Sequence, residues 1–184
     1  SELGCRFSVY FGVYLIENLG LPVELMCDRA TMALKSVKGS SMRRSAIYNE
    51  KMLNHLQKEQ EIESEMYTAL KSRQFVIYMQ PIYSITTGLP ISAEALVRWQ
   101  HPQKGIISPG EFIPLFERNG FITLLDAYVW EEVCQFLSRR IAKGQRVVPI
   151  SVNISRLNVE NKHLALELRS LIDRYGLKPA MLKL

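Results

Sequence analysis

Apolar and polar positions change rhythm along the chain, and each change predicts an element. Residues 6–15 (RFSVYFGVYL) are dense in aromatic and β-branched side chains and predict a strand or hairpin broken at Gly12. Residues 18–22 predict a turn. Over 23–38, Val23, Met26, Ala30, Ala33, Leu34 and Val37 recur at helical spacing, and Gly39 follows where a left-handed cap belongs. Residues 40–45 predict a basic loop. Residues 46–72 contain no Gly or Pro and are polar except at Met52, Leu53, Leu56, Ile62, Met66, Ala69 and Leu70, which predicts one or two helices joining two parts of the chain. The charge run KEQEIESE within them reads as a solvated helix face.

After Arg73 the texture changes. Strands are predicted at 75–83 and 91–99 around a turn at 86–90. A long loop at 101–110 leads to helices at 111–117 and 124–142. A third strand at 147–154, a helix at 160–175 and a fourth strand beginning at Met181 complete the series. Strands alternating with helices predict an α/β fold with parallel pairing. No internal repeat or low-complexity stretch interrupts it.

Composition alters this picture little. The 184 residues are 47% hydrophobic and 22% charged, ordinary values for a soluble globular protein. A net charge of +5 suits an anionic ligand, but no basic run with interleaved aromatics occurs, so a nucleic-acid polymer is not the expected partner. Cys5, Cys27 and Cys134 are odd in number and far apart, which argues against a disulfide framework. With His55, His101 and His163 also scattered, no zinc-ligand spacing arises. A cytoplasmic, reducing location is expected. No segment has the apolar length of a membrane span. Ser1 does not read as a natural start, so the parent protein has room for a membrane anchor or sensor upstream.

Chemistry concentrates on three strands. In ISAEALVRW, alternation puts Ser92, Glu94, Leu96 and Arg98 on one face and Ile91, Ala93, Ala95 and Val97 on the other. A strand between helices is usually apolar on both faces, so these two charges need partners. A structural role, either a Glu94–Arg98 salt bridge or contacts to other charged residues, and a functional pair stand as equal alternatives. In VVPISVNI, Val147, Pro149, Ser151 and Asn153 share a face, and Asn153 stands near the C-terminal end, where parallel barrels place their sites. The alternative for Asn153 is a cap on the following turn or helix. Gln80 precedes Pro81, which forces it extended; it is either a ligand contact or a strand-end glutamine. One carboxylate and one amide oxygen suit a hard divalent cation and are too few to hold it alone.

The string FVIYMQPIYSITTG…AEALVRWQHPQKGIISPGEFIPLFERNGFITLLDAYVWEEVC…ISVNISRL closely resembles the EAL domain family, named after the motif at Glu94-Ala95-Leu96. Its run through Arg98, Trp99, His101, Pro102, Gly105, Pro109, Phe112, Pro114, Glu117 and Asn119-Gly120 makes the likeness specific; Ser92 stands where the family often has glycine. A second and weaker likeness, in CDRATMALKSVKGSSMRRSAIYNEKM, is to the last helix and exit of a GGDEF domain. The resemblance implies the C-terminal remnant of a GGDEF-type domain at 1–45, a helical linker at 46–72 and the N-terminal half of an EAL domain at 73–184. It implies a modified (β/α)8 TIM-like barrel with an antiparallel first strand. It implies hydrolysis of cyclic di-GMP to linear pGpG with Mg2+ or Mn2+. By the same resemblance Glu94 is the catalytic residue and a metal ligand, Asn153 is a metal ligand, and Gln80 and Arg98 contact substrate. The family's remaining carboxylates and lysine would lie beyond Leu184, so these 184 residues are expected to be incomplete and inactive by themselves. Expected partners are cyclic di-GMP, a second copy of the chain and an upstream sensor domain. The alternatives to an enzyme are a catalytically inactive cyclic di-GMP receptor and a scaffold that dimerises through the helices at 46–72.

Overall fold

The computed structural model describes residues 8–40 and 42–184, and the chain divides into two compact units, Ser1–Glu61 and Ile62–Leu184. The first unit contains strand β1 (Phe11–Val13), helix α1 (Val23–Val37) and strand β2 (Ser45–Ile47), with β1 and β2 paired in parallel. The strand expected at 6–15 is therefore shorter, and its positions Arg6 and Phe7, like Ser41 of the expected basic loop, lie outside the described residues. Gly12 does not break the strand but sits in its middle. A Cβ there would stand 2.0 Å from the carbonyl oxygen of Ala30, so glycine is what lets α1 cross β1 closely. The end of the expected loop forms β2, and the stretch after it forms one helix, α2 (Glu50–Lys71), rather than two.

The second unit opens on the C-terminal half of α2, whose Ile62, Met66, Ala69 and Leu70 enter its core. Strands β3 (Phe75–Tyr83) and β4 (Pro90–His101) form a hairpin, closed by a turn in which Gly88 adopts φ +66°. The parallel pairing expected from the alternation of strands and helices thus fails for this pair. Helix α3 (Pro109–Asn119), helix α4 (Ile122–Ala142) and strand β6 (Ile150–Ser151) follow a short strand β5 (Gly105–Ile107), which lies in the segment read as loop and pairs antiparallel with β4. Helix α5 (Arg156–Val159), helix α6 (Leu164–Arg174), a 3-10 turn at Pro179–Met181 and strand β7 (Leu182–Lys183) complete the chain. The sheet order is β3-β4-β6-β7, with β4, β6 and β7 parallel.

Local chemistry explains where boundaries moved. Helix α3 starts two residues before the expected position because Ser108 and Glu111 form a capping box and Pro109 occupies its first turn. Strand β6 is two residues long rather than eight. Its neighbour β7 offers only two partners, and Pro149 has no N–H to donate; the Pro149 carbonyl accepting from Ala93 and the Val152 N–H donating to Lys183 mark its ends. The helix read at 160–175 begins only at Leu164, because the Asn161 side chain accepts from the His163 N–H at 2.9 Å and makes a local turn ahead of α6, while the separate short α5 lies before the expected start. No helix among the described residues is long and apolar enough to cross a membrane.

The core gathers on one face of β4. Phe75, Trp99, Phe112 and Phe116 are completely buried, with ring centroids 5.1 Å apart for Phe75–Trp99 and 5.4 Å for Phe112–Phe116. The Trp99 indole donates to the Gln74 side chain at 2.9 Å, and the Tyr128 hydroxyl donates to the Phe75 carbonyl at 3.0 Å. Burial, reinforced by Glu132 and opposed by Arg73, raises the Tyr128 pKa and keeps that donor protonated. His101, also buried, accepts at Nδ1 from the N–H groups of Gln103 and Lys104, which leaves Nε2–H to donate to Glu65 of α2.

Helix α4 supplies a direct check on this packing. Burial, and then Glu131, push the Cys134 thiol up to about 11. At pH 8 roughly one such thiol in a thousand is ionised, and the thiolate is the reactive form. Native protein treated with iodoacetamide at pH 8 will carry the label on exposed Cys27 and not on Cys134, read by peptide mass spectrometry. Labelling of Cys134 at the rate of Cys27 would show that α4 does not pack as described.

Candidate functional site

The second face of β4 carries the polar residues, and it is only partly covered. Ala93, Ala95 and Trp99 point into the core, whereas Glu94, Leu96 and Arg98 are half-buried on the other side. The charges therefore avoid the cost that a strand buried on both faces would impose. A Glu94–Arg98 salt bridge does not form. Four residues along a strand span about 13 Å, and no ion pair joins the two among the described residues.

Strand pairing lines up a polar row. Gln80 of β3 lies directly opposite Glu94, and Ser151 of β6 is paired with Glu94 on its other side. The Ser151 hydroxyl donates to the Ala93 carbonyl at 3.2 Å, while Gln80 is exposed. Two residues beyond Ser151, the Asn153 side-chain amide donates to Glu94 Oε1 at 3.4 Å. Asn153 is not the cap of the following helix. That role falls to Ser155, whose hydroxyl accepts from the Asn158 N–H at 3.3 Å. Arg98 lies further along β4. Its Nη1 donates to the Val97 carbonyl at 2.8 Å, and its guanidinium sits 5.8 Å from the centroid of the Tyr78 ring. A cation–π contact with Tyr78, itself half exposed, holds the guanidinium without neutralising it.

A cavity of about 210 Å³ lies between β4, α3, α4 and the exit of β6, and its walls include Leu96, Arg98, Ile113, Glu117 and Asn153. A larger groove of about 750 Å³ covers the opposite side of β3, next to Phe75, Met79, Tyr128 and Arg140. Neither Gln80, Glu94, Arg98 nor Asn153 lines that groove, so its size does not make it the site.

The donor set indicates what could bind. Among the described residues, no group of three or more His, Cys, Asp or Glu side chains gathers at one point. Glu94 and Asn153 stand one hydrogen bond apart and are open to solvent, so a hard divalent cation could take an oxygen from each. They fit such an ion in kind and would supply two of the ligands it needs.

Sequence reasoning passed over the residues that hold Asn153 in place. The Trp130 indole donates to the Asn153 carbonyl at 3.1 Å, and buried Asp126 accepts from the Ser155 N–H and from the Asn158 side chain, both at 2.8 Å. The available signal was a lone carboxylate in the apolar helical run FITLLDAYVW.

Known proteins resemble the chain over the same region. A family model, that of the EAL domain, matches residues 63–184. The cyclic di-GMP phosphodiesterase NbdA of Pseudomonas aeruginosa is 31% identical over 173 residues, covering 94% of this chain and 22% of its own length. MucR of the same organism, a bifunctional diguanylate cyclase/cyclic di-GMP phosphodiesterase, is 30% identical over 177 residues, 96% of this chain and 26% of its own length. The chain thus spans about a quarter or less of these curated relatives. The solved structure of a MucR phosphodiesterase in complex with c-di-GMP matches with a TM-score of 0.62 and 34% identity, over 66% of this chain and 49% of that one.

Proposed function

The chain belongs to the EAL domain family, and on that premise we propose that the whole protein hydrolyses cyclic di-GMP to linear pGpG with Mg2+ or Mn2+. The observation that carries this reading is the contact between Glu94 and Asn153, two oxygen-bearing side chains brought together from different strands at 3.4 Å. The phosphodiesterase names of NbdA and MucR, and the c-di-GMP held by the MucR structure, support the choice of substrate.

In this reading Glu94 and Asn153 hold the cation. When bound, a divalent metal supplies Lewis acidity for phosphodiester hydrolysis. Arg98 presents a planar donor fork to a phosphate, the form of contact that guanidinium makes best. Gln80, opposite Glu94 on the exposed row, offers an amide to the same ligand. The six or so oxygens that such a cation prefers include others from outside these 184 residues, so residues 1–184 alone should be inactive.

The same proposal extends to architecture. Residues 73–184 would be the first half of a (β/α)8 barrel; antiparallel β3 beside parallel β4, β6 and β7 supports this. Residues 1–45 would end a GGDEF-type domain, and 46–72 would join it to the barrel, with the single helix α2 in support. A homodimer and an upstream sensor belong to this reading, as does a cytoplasmic place, favoured by the free thiols of Cys27 and Cys134.

In the whole protein, Glu94→Gln keeps the side chain's shape and removes its charge. Turnover of cyclic di-GMP to pGpG, followed by chromatography with Mg2+ or Mn2+, should fall by at least about a hundredfold, the scale of losing a preorganised electrostatic contact. Turnover near the wild-type rate would remove Glu94 from the chemistry. Wild-type protein that binds the dinucleotide and never cleaves it would identify a receptor instead.

Arg98→Lys separates a phosphate contact from a structural one. Calorimetry in EDTA should show cyclic di-GMP affinity reduced by about tenfold, because lysine keeps the charge and loses the fork. Equal affinity would leave Arg98 as a partner of Tyr78 only.

A further inference from the structure

The backbone that carries Asn153 has left the sheet. Strand β6 ends at Ser151, and the last ladder contact beyond it is the Val152 N–H donating to the Lys183 carbonyl at 2.9 Å. From Asn153 onward, α4 holds the chain through two side chains one helical turn apart. Trp130 donates its indole N–H to the Asn153 carbonyl at 3.1 Å. Asp126 Oδ2 accepts from the Ser155 N–H and from Asn158 Nδ2, both at 2.8 Å. Residues i and i+4 share a helix face, so the two grips act side by side.

This arrangement is costly unless it has a task. Asp126 is 8% exposed and Asn158 7%, so a carboxylate sits nearly shut off from solvent in the wall of the cavity that Arg98 and Asn153 also line, where only bonded charges are tolerated. Ser155 already caps α5 with its own hydroxyl, so the cap does not require Asp126. What Asp126 and Trp130 fix together is the path of residues 153–158, and with it the distance between Asn153 and Glu94.

We propose that Asp126 and Trp130 are positioning residues that set Asn153 against Glu94 for cation binding. The inference rests on the reading of Asn153 as a metal ligand. Groups that orient a ligand from behind typically change metal affinity or activity by 10–100-fold when removed. A purely structural role would lower stability and leave the affinity of the folded protein unchanged.

The test is Mn2+ binding to the whole protein without substrate, read by the electron paramagnetic resonance of free manganese, with thermal unfolding measured in parallel. Trp130→Phe deletes the indole N–H and keeps an aromatic ring; Asp126→Ala deletes the acceptor. Asp126→Ala should weaken Mn2+ by about tenfold or more and Trp130→Phe by a smaller factor, and added Mn2+ should restore turnover towards the wild-type rate. Wild-type Mn2+ affinity in both folded variants would overturn the proposal, whatever their melting temperatures. Trp130→Phe, the milder change, carries the test if Asp126→Ala does not fold. Asn153→Ala distinguishes the two levels of argument. If it weakens Mn2+ while both α4 variants bind normally, only the positioning role fails. If it leaves Mn2+ binding unchanged, the metal-ligand reading fails and takes the inference with it.

Discussion

The register of β4 in its sheet governs everything else in the second unit. Side chains on a strand alternate, so pairing Phe75 with Trp99 and Gln80 with Glu94 decides at once which residues meet the helices and which form the polar row. In this register Ala93, Ala95 and Trp99 go into the core, and Glu94 and Arg98 stay half-buried on the other face. A slip of one residue would exchange the faces and drive a carboxylate and a guanidinium into an aromatic cluster, at several kcal/mol for each unpaired charge. The nine-residue β3 alongside twelve-residue β4, the Trp99–Gln74 bond and the Tyr128–Phe75 bond all oppose that slip.

From this fixed strand the site extends into a part of the chain that the sheet does not hold. Strand β6 pairs over two residues, so Asn153 depends on α4 for its position. The arrangement separates rigidity from chemistry. Glu94, Gln80 and Arg98 stand on the long hairpin, whereas Asn153 stands on a short segment tied down by a buried carboxylate and an indole. His101 adds a similar tie elsewhere, linking the end of β4 to Glu65 of α2.

Much of this was legible in the amino-acid sequence where a pattern is intrinsic to one segment. The two-residue period of ISAEALVRW separated Glu94 and Arg98 from the core correctly, because alternation requires no knowledge of neighbours. The helices at α1 and α4 followed from their own periodicity, with ends displaced by one or two residues. Features set by a partner were not legible. VVPISVNI reads as an eight-residue strand, and only the two-residue β7 beside it reveals that the ladder is shorter. Gly12 reads as a break until α1 is seen crossing it. Asn153 by itself reads more readily as a cap, and its approach to Glu94 spans 59 positions of sequence. Asp126 shows only as one charge in an apolar helix, with nothing to indicate that its partners lie about thirty residues on.

The central claim is that Glu94 and Asn153 lie against the same cation, and a crystal of the whole protein soaked in Mn2+ tests it most directly. Anomalous scattering should place manganese within bonding distance of an oxygen of each side chain, at the ~2.0–2.2 Å typical of small, hard divalent ions. Manganese bound elsewhere, or touching neither residue at a concentration that supports turnover, would contradict the account.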